Sequence, residues 1–436
     1  MSLLASTTLH TTFGDAYAFV QTVFKKCFDE TKGETMTVFV TDGAERTSLA
    51  ITRSLGRKGI SVHGGESYRF STTTLSKYCK RKFIYPDPQV DCNNFIDRLV
   101  GILKDGDYDA LYSSREVTTI PISYHKKMLE KYVRVPFPDY EKILMAHDKA
   151  KTFKFAMEHG IPAPETHIVE TMDELEEISG TIEYPVVVKS RYKTTWDGGK
   201  PVMLKVTSRN YVDNRDDLID VSSEIYKKSG KMPIVQEYIH GDGYGVEVLF
   251  NHGEPRAVFM HKRLREYPIT GGASTLRESI YNERMKNIAL DLMGGMGWHG
   301  VAMVEFKLDT KDGEPKLMEV NGRFWGSLPL SIASGVDFPY LLHKMVTEGD
   351  VEPVFEYKTG VKCRWLIPGD LLWFVASLRS RGDRLGVLRE FLRFGGMDYD
   401  ILSKGDPLPA VGAMRVMAHQ MGDVVSGKRN ISGEVR

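Results

Sequence analysis

Cysteine is scarce in this chain: Cys27, Cys79, Cys92 and Cys363 are the only four in 436 residues, and none form a Cys-x-x-Cys pair. That spacing excludes a zinc ribbon or a disulfide scaffold and fits a reducing, cytoplasmic setting. Charge of one sign is also missing. Lys+Arg 58 and Asp+Glu 58 cancel to a formal net charge of zero, which argues against nucleic acid held over a broad surface and leaves room for local basic patches. No apolar run reaches the ~20 residues a bilayer span needs, so no transmembrane segment is expected. The first residues lack a basic start followed by an apolar core, so no secretory leader is read there. Internal repeats and low-complexity tracts are absent. What is present is an ordinary globular balance, 42% hydrophobic and 27% charged. At ~100–200 residues per domain the length predicts two to four domains.

Residues 1–35 do not read as the start of an α/β domain. They hold a candidate helix over 15–29, and two readings stand: a docking helix, or an extension ahead of a start at Met36. From Met36 the pattern becomes strand, turn, helix: a strand over 36–41, a helix over 47–57, a short strand near Ile60 and another over 110–112. Alternation of this kind implies a parallel sheet with ligands favoured at the strand C-terminal ends. The turn Asp42-Gly43-Ala44-Glu45 lacks a Gly-x-Gly-x-x-Gly fingerprint, so no dinucleotide site is assigned.

Asp148-Lys149 opens a helix that Gly160 stops, and Pro162 and Pro164 force an extended segment after it. An acidic helix over 172–179, strands near Val186, Val202 and Ile234, and a helix over 216–228 follow. Two hairpins are expected, turning at 251–255 and 309–315, with a mainly helical stretch over 276–293 between them. Residues 351–436 change character. The Leu-, Phe- and Arg-rich stretch 371–394 has the composition of a basic amphipathic helix on a membrane surface. Gly382 and Gly386 interrupt it, which favours helices packed onto the main body.

The most informative stretch joins Glu305 to Glu319-Val-Asn321-Gly-Arg323 through the hairpin centred on Asp312-Gly313. Strand side chains alternate faces, so Glu319, Asn321 and Arg323 share one, and the turn sets Glu305 opposite Glu319–Asn321. Two carboxylates and an amide oxygen beside an arginine are expensive to bury without a cation, and oxygen-only ligands suit Mg²⁺. Read alone, the same face also describes a solvated strand with a surface salt bridge. Lys189 ends an apolar strand and Lys149 starts a helix, both places from which a point charge meets phosphate. The pair Gly198-Gly199 lets backbone N–H groups approach phosphate oxygens closely. The loop from His261 through Arg263, Arg265, Gly271 and Gly272 offers cations for a phosphate or carboxylate and backbone donors for an oxyanion. Arg265 is its preferred residue. Ser113-Ser114-Arg115-Glu116 follows a strand, where Arg115 would pair with a carboxylate and Glu116 with an amine.

Together these motifs resemble the ATP-grasp superfamily, in particular its carbamoyl-phosphate-synthetase-like branch, over roughly residues 36–350. Glu305 with Glu319-Val-Asn321-Gly-Arg323 is similar to the family's metal signature, Asp148-Lys149 and Gly160-Ile-Pro-Ala-Pro164 to the opening of its ATP domain, Lys189 to its phosphate lysine. Gln236-Glu237-Tyr238-Ile239 resembles the linker that clamps adenine, with backbone groups of Glu237 and Ile239 on the adenine edge. Two features depart from the pattern. Asp242 stands where a ribose-holding glutamate is common, and Gly322 replaces a frequent proline in the signature, relaxing a backbone constraint without removing a ligand.

The resemblance implies an α/β chain (α+β in the ATP domain). It predicts a Rossmann-like pre-ATP-grasp domain over 36–145 and an ATP-grasp domain over 146–350, whose subdomains span about 146–235 and 236–350, after the extension read from the residues over 1–35. A mainly helical region over 351–436 follows. One ATP-grasp unit argues against full carbamoyl-phosphate synthesis. The implied cofactors are ATP and Mg²⁺, or Mn²⁺ in its place. The implied activity is ligation of a small carboxylate to an amine or thiol through an acylphosphate, with Arg323 and Arg265 stabilising the charge that develops. Phosphorylation of a small acid or alcohol without ligation, and a non-catalytic ATP-binding module, are the alternatives.

Overall fold

The computed structural model describes residues 36–197, 200–204, 206–269 and 271–426. The helix expected over 15–29 and the Gly198-Gly199 pair lie outside the described residues. From Thr37 onward the chain packs as one unit, of mixed α/β class as expected.

Four strands, β1 (Thr37–Val40), β2 (Ser61–Glu66), β3 (Cys79–Ile84) and β4 (Ala110–Tyr112), form a sheet in the order β3-β2-β1-β4, parallel throughout. Helix α1 (Arg46–Arg57) follows β1 and α2 (Cys92–Lys104) follows β3. The Asp91 carboxylate caps α2 by accepting from Asn94 N at 3.0 Å, and Phe95, Leu99 and Ile102 point inward at helical spacing. Each such side chain contributes roughly 1.5–3 kcal/mol on burial. Helix α3 (Glu116–Tyr124) starts directly after β4, which sets Glu116 at the strands' C-terminal edge.

Helices α4 (Tyr140–His147) and α5 (Lys149–Glu158) come next, the second capped by Asp148, whose side chain accepts from Ala150 N at 3.0 Å. Strands β5 (Thr166–Ile168), β6 (Val186–Lys189), β7 (Thr194–Asp197), β8 (Lys200–Met203), β9 (Tyr211–Val212) and β10 (Ile234–Glu237) follow. Four make an antiparallel sheet in the order β5-β10-β6-β9, and β7 pairs with β8 as a separate hairpin.

The large sheet holds β11 (Gly243–Asn251), β12 (Glu254–Tyr267), β13 (Ala273–Ser279), β14 (Gly300–Leu308), β15 (Pro315–Asn321), β16 (Lys362–Arg364) and β17 (Asp398–Tyr399) in the order β15-β14-β11-β12-β13-β16-β17. Strand β13 corrects the helical expectation for residues 276–293: 273–279 pairs with β12, and the helix covers only Glu283–Gly295 (α6). One face of the sheet, through Val246, Val304 and Phe306, packs on Met285, Ile288 and Leu292 of α6. The other face, through Phe259 and Met303, joins Trp325 and Leu342 and runs on to Val38, Val40 and Leu55 of the parallel sheet. The two sheets thus share a core, and their edges bound the cleft described below.

The C-terminal region adds β16 before and β17 after the short helices α7 (Leu371–Ser380) and α8 (Arg384–Phe391), and its last described helix is α9 (Pro409–Val425). Three buried aspartates tie it down. Asp370 meets Arg265 and Arg364, Asp400 meets Arg46 and Arg277, and Asp406 meets Arg53 on α1.

Candidate active site

Register decides the site. Glu305 on β14 stands opposite Glu319 on β15, and Met303 opposite Asn321. A bulge sits beside this pair, because Phe306 pairs with Leu317 and Met318 is left over. The bulge keeps Leu317 in the core while turning Glu319 to the cleft. Asn321 Nδ2 donates to Glu305 Oε1 at 2.9 Å and to Glu319 Oε1 at 3.0 Å, so all three side chains lie within one hydrogen bond of a common point. The amide Oδ1 accepts from Arg323 Nη2 at 3.3 Å.

Each carboxylate already holds a protein cation. Arg263 of β12 pairs with Glu305, and Lys193, next to β7, pairs with Glu319. Burial would raise Glu319, but Lys193 and Lys149 outweigh it and hold the group well below the usual carboxylate range. Glu305 moves the other way: burial and the neighbouring Glu319 raise it against the pull of Arg263. Among the described residues no three His, Cys, Asp or Glu side chains form a ready-made metal cage. The set is two carboxylates and an amide, a donor set that suits a Mg²⁺ ion taking its remaining oxygens from phosphate and water. Rotating the Asn321 amide by half a turn exchanges its nitrogen for its oxygen at the common point.

Lys149 and Lys189 reach the same region. Burial lowers the Lys149 amine. Burial, with Lys149 as neighbour, pushes Lys189 down to about 7. Lys189 Nζ donates to Gln236 Oε1 at 2.7 Å, and Gln236 Nε2 donates to Thr166 Oγ1 at 2.8 Å, which fixes the amide between two strands. Glu237 N donates to Glu165 O at 2.9 Å, and its carboxylate meets Lys311 at 3.0 Å. Tyr238 packs edge-on against Tyr211 and His240. Ile239 is buried, and its carbonyl accepts from Lys307 Nζ at 2.8 Å. Asp242 is largely exposed and pairs with Lys262 at 2.6 Å.

A second pocket wall comes from α3. Glu116, Thr119, His147, Asn321, Gly322 and Arg323 line one cleft. Arg323 Nη2 lies 3.6 Å from Glu116 Oε1, and His147 Nδ1 lies 3.9 Å from Glu116 Oε2. Burial would raise Glu116, but Lys193 and Arg323 prevail and lower it. The Nε atoms of Arg263 and Arg323 are buried with no hydrogen-bond partner. A buried donor without a partner costs about 1–3 kcal/mol, a debt a bound anion settles.

The structure therefore brings together Glu305, Glu319, Asn321, Arg323, Lys149, Lys189, Arg263 and Glu116. It does not bring Arg265. A register irregularity between Arg263 and Glu266 breaks the two-residue alternation of β12. Arg265 consequently binds Asp370 at 2.9 Å and the Glu390 carbonyl at 2.6 Å, and stacks over Trp373. Its work is to hold the C-terminal region, and Arg263 takes the place facing the site. Arg115 faces Glu45 at 3.7 Å, away from the acidic pair. Gly271 makes a turn back to Pro268, and a Cβ on Gly272 would come within 2.4 Å of Tyr267 O, so that glycine is a packing need of its own turn. Gly322 is likewise steric: a Cβ there would meet Trp298 at 2.6 Å, and no unusual backbone angle is involved. Lys193 and His147 were not singled out from the sequence. The only sequence signal for Lys193 is its place between Lys189 and the glycine pair.

Residues 229–367 match the family model described as ATP-grasp in the biosynthetic pathway with Ter operon. The chain is 26% identical over 220 residues to a D-aspartate ligase of Enterococcus faecium, covering 46% of this chain and 50% of that protein. It is 25% identical over 301 residues to the N-terminal section of the carbamoyl phosphate synthase large chain of Methanopyrus kandleri, covering 64% and 51%. The chain thus spans about half the length of these two relatives. Among solved structures, the biotin carboxylase domain of Hydrogenobacter thermophilus 2-oxoglutarate carboxylase, in complex with MgADP, ADP and bicarbonate, superposes with a TM-score of 0.59. The identity is 15%, over 75% of this chain and 73% of that one, and at that level the likeness is one of fold.

Proposed function

We propose that this chain is an ATP-grasp protein, with the family match over residues 229–367, and that it is an ATP-dependent ligase. It activates a carboxylate as an acylphosphate and joins it to an amine, releasing ADP and phosphate. The observation that carries this reading is the meeting of Glu305, Glu319 and Asn321 on paired strands, faced by Lys149 and Lys193. Glu305, Glu319 and the rotated amide of Asn321 would hold Mg²⁺, or Mn²⁺ in its place, with Arg263 and Lys193 released from the carboxylates. When bound, the ion neutralises charge on the β- and γ-phosphates.

Lys149, Lys189 and the freed Lys193 meet the phosphates. The segment Gln236 to Ile239 receives adenine, and Asp242 stands ready for ribose. A carboxylate oxygen attacks the γ-phosphorus and ADP leaves. The amine nitrogen then attacks the acyl carbon, phosphate departs with the former carboxylate oxygen, and the nitrogen loses a proton. Arg263 and Arg323 stabilise the charge on the acylphosphate and on the oxyanion formed by that attack. Glu116, ionised and beside Arg323, receives the amine substrate as an ammonium, which gives up one proton to water before its nitrogen attacks and a second once the acyl bond has formed. The likeness to a D-aspartate ligase supports an amino acid among the substrates, and the MgADP complex of the Hydrogenobacter domain supports the nucleotide and ion. The parallel order β3-β2-β1-β4 supports a Rossmann-like unit over 36–145 ahead of an ATP-grasp unit over 146–350.

A screen of carboxylates against amines, with ATP and Mg²⁺, tests the reading. One productive pair should release one ADP per amide formed, measured by coupled assay and mass spectrometry. A stable phosphoester would replace ligation with simple phosphorylation. ATP binding with no ADP from any pair would leave only a nucleotide-binding module.

A further inference from the structure

Helices α7 and α8 fold against one another through Trp373, Ala376, Val387 and Phe391, with the Phe374 and Phe391 rings stacked at 4.3 Å. Val387 and Phe391 are four residues apart and form the inward stripe of α8. A second apolar stripe points outward. Leu385, Leu388 and Leu392, at i, i+3 and i+7, are 79%, 41% and 57% exposed, and Phe394 and Val375 of the same hairpin are exposed as well. An ordinary surface helix keeps one apolar face for the core and a polar one for water. Helix α8 is apolar on both.

The outward stripe is flanked by arginines. Arg379, Arg381, Arg384, Arg389 and Arg393 are all exposed, in a chain whose formal net charge is zero. Two acids share the segment, and both are in use. Asp383 caps α8 by accepting from Gly386 N at 2.8 Å, and Glu390 pairs with Arg381 at 3.7 Å. Among the described residues Arg379, Arg384, Arg389 and Arg393 have no ion pair. On α8 the helical angles place Arg389 on one side of the leucine stripe and Arg384 on the other.

We propose that the α7–α8 hairpin docks on an anionic lipid bilayer as a peripheral contact. Phosphate groups meet the arginines while the leucines and Phe394 enter the headgroup–acyl boundary. The charge pattern selects this occupant over a second copy of the chain. A two-fold contact places the same patch on both sides of the interface, so unpaired arginines would face unpaired arginines. No helix among the described residues is long and apolar enough to cross a membrane, so the contact lies on the surface. The inference is independent of the ligase reading.

The test uses the full chain with vesicles of phosphatidylcholine alone or mixed with phosphatidylglycerol, read by flotation. Partitioning should be at least about tenfold stronger on the mixed vesicles and should fall steeply as salt shortens the screening length. The double variant Leu385→Asp/Leu392→Asp should lose that gain, since its side chains are exposed and its melting temperature should match the parent's. Arg384→Gln/Arg389→Gln keeps every apolar contact and should lose most of it as well. Equal partitioning on both vesicle types, or variants that float like the parent, would overturn the proposal. So would a concentration-dependent dimer that Leu385→Asp breaks, which would give the patch to a second copy.

Discussion

Glu305 and Glu319 stand opposite one another on β14 and β15, and each is neutralised by a cation from a different element, Arg263 from β12 and Lys193 from beside β7. The arrangement is balanced without a metal, and Lys193, whose side chain is 38% exposed, reaches water once Glu319 is removed. Removal of one carboxylate should accordingly spare the fold and abolish the chemistry. Glu319→Ala is expected to lower Mg²⁺-dependent ADP release by at least about tenfold, the scale on which metal-site changes act, with an unchanged circular dichroism spectrum. Wild-type turnover in that variant would remove Glu319 from the metal set.

Lys189 gives a prediction with a pH signature. Burial lowers its amine to about 7 in the nucleotide-free protein, against about 10.4 when unfolded. The unfolded chain therefore binds the extra proton between those values, and stability attributable to this group rises with pH from about 7 to about 10.4. Lys189→Met should stabilise the free protein at neutral pH and flatten that rise. Nucleotide affinity should go the opposite way. A phosphate restores the charged amine, so wild-type affinity should weaken as pH climbs past about 7, and Lys189→Ala should lose about 1.4 kcal/mol or more, a factor of ten. Titration calorimetry and thermal melts across the range check both signs.

Arg263, proposed to serve the chemistry, and Arg265, which holds the C-terminal region, lie within three residues of one strand. Arg265 and its partner Asp370 are buried. Arg265→Ala should cost about 3–5 kcal/mol of stability, as breaking a buried pair does, with nearly unchanged kcat in the protein that remains folded. Arg263→Ala should lower kcat. Chemical denaturation beside steady-state kinetics distinguishes the two, and equal kinetic damage from both would contradict the division.

Glu116 is expected to act on the amine substrate alone. Glu116→Gln should raise the KM for the amine about tenfold, the scale of a lost charge-assisted hydrogen bond, while the KM for ATP changes little. Because Lys193 and Arg323 hold Glu116 below the usual range, it stays ionised down to acidic pH. The rise of amine KM with pH should then follow deprotonation of the amine itself, as a comparison of amines of different basicity would reveal.

Much of this site was legible because it rests on local rules. The Asp312-Gly313 turn sets the β14–β15 register, and that register sets Glu305 against Glu319. Arg265 belongs to a stretch that reads as a basic loop, whereas residues 254–267 form one strand whose register irregularity turns Arg265 toward Asp370. Residues 276–279 read as the start of a helix and are instead strand because β12 and β16 flank them. Strands β16 and β17 are two or three residues long, too short for any periodicity to register. Lys193 lies 126 residues from Glu319 in sequence, and no local pattern announces a contact at that distance. Gly322 looked like a backbone choice, and its reason, the Trp298 ring, lies 24 positions earlier.

The three buried aspartates of the C-terminal region have a consequence for dissection of the molecule. A fragment ending near residue 350 would contain every residue assigned above to nucleotide and metal, and would look self-sufficient on paper. It would also orphan the guanidinium groups of Arg46, Arg53, Arg265 and Arg277, each of which finds its counter-charge in Asp370, Asp400 or Asp406. Such a truncation should be insoluble or molten, so the segment after residue 350 belongs to the machine and is no detachable tail.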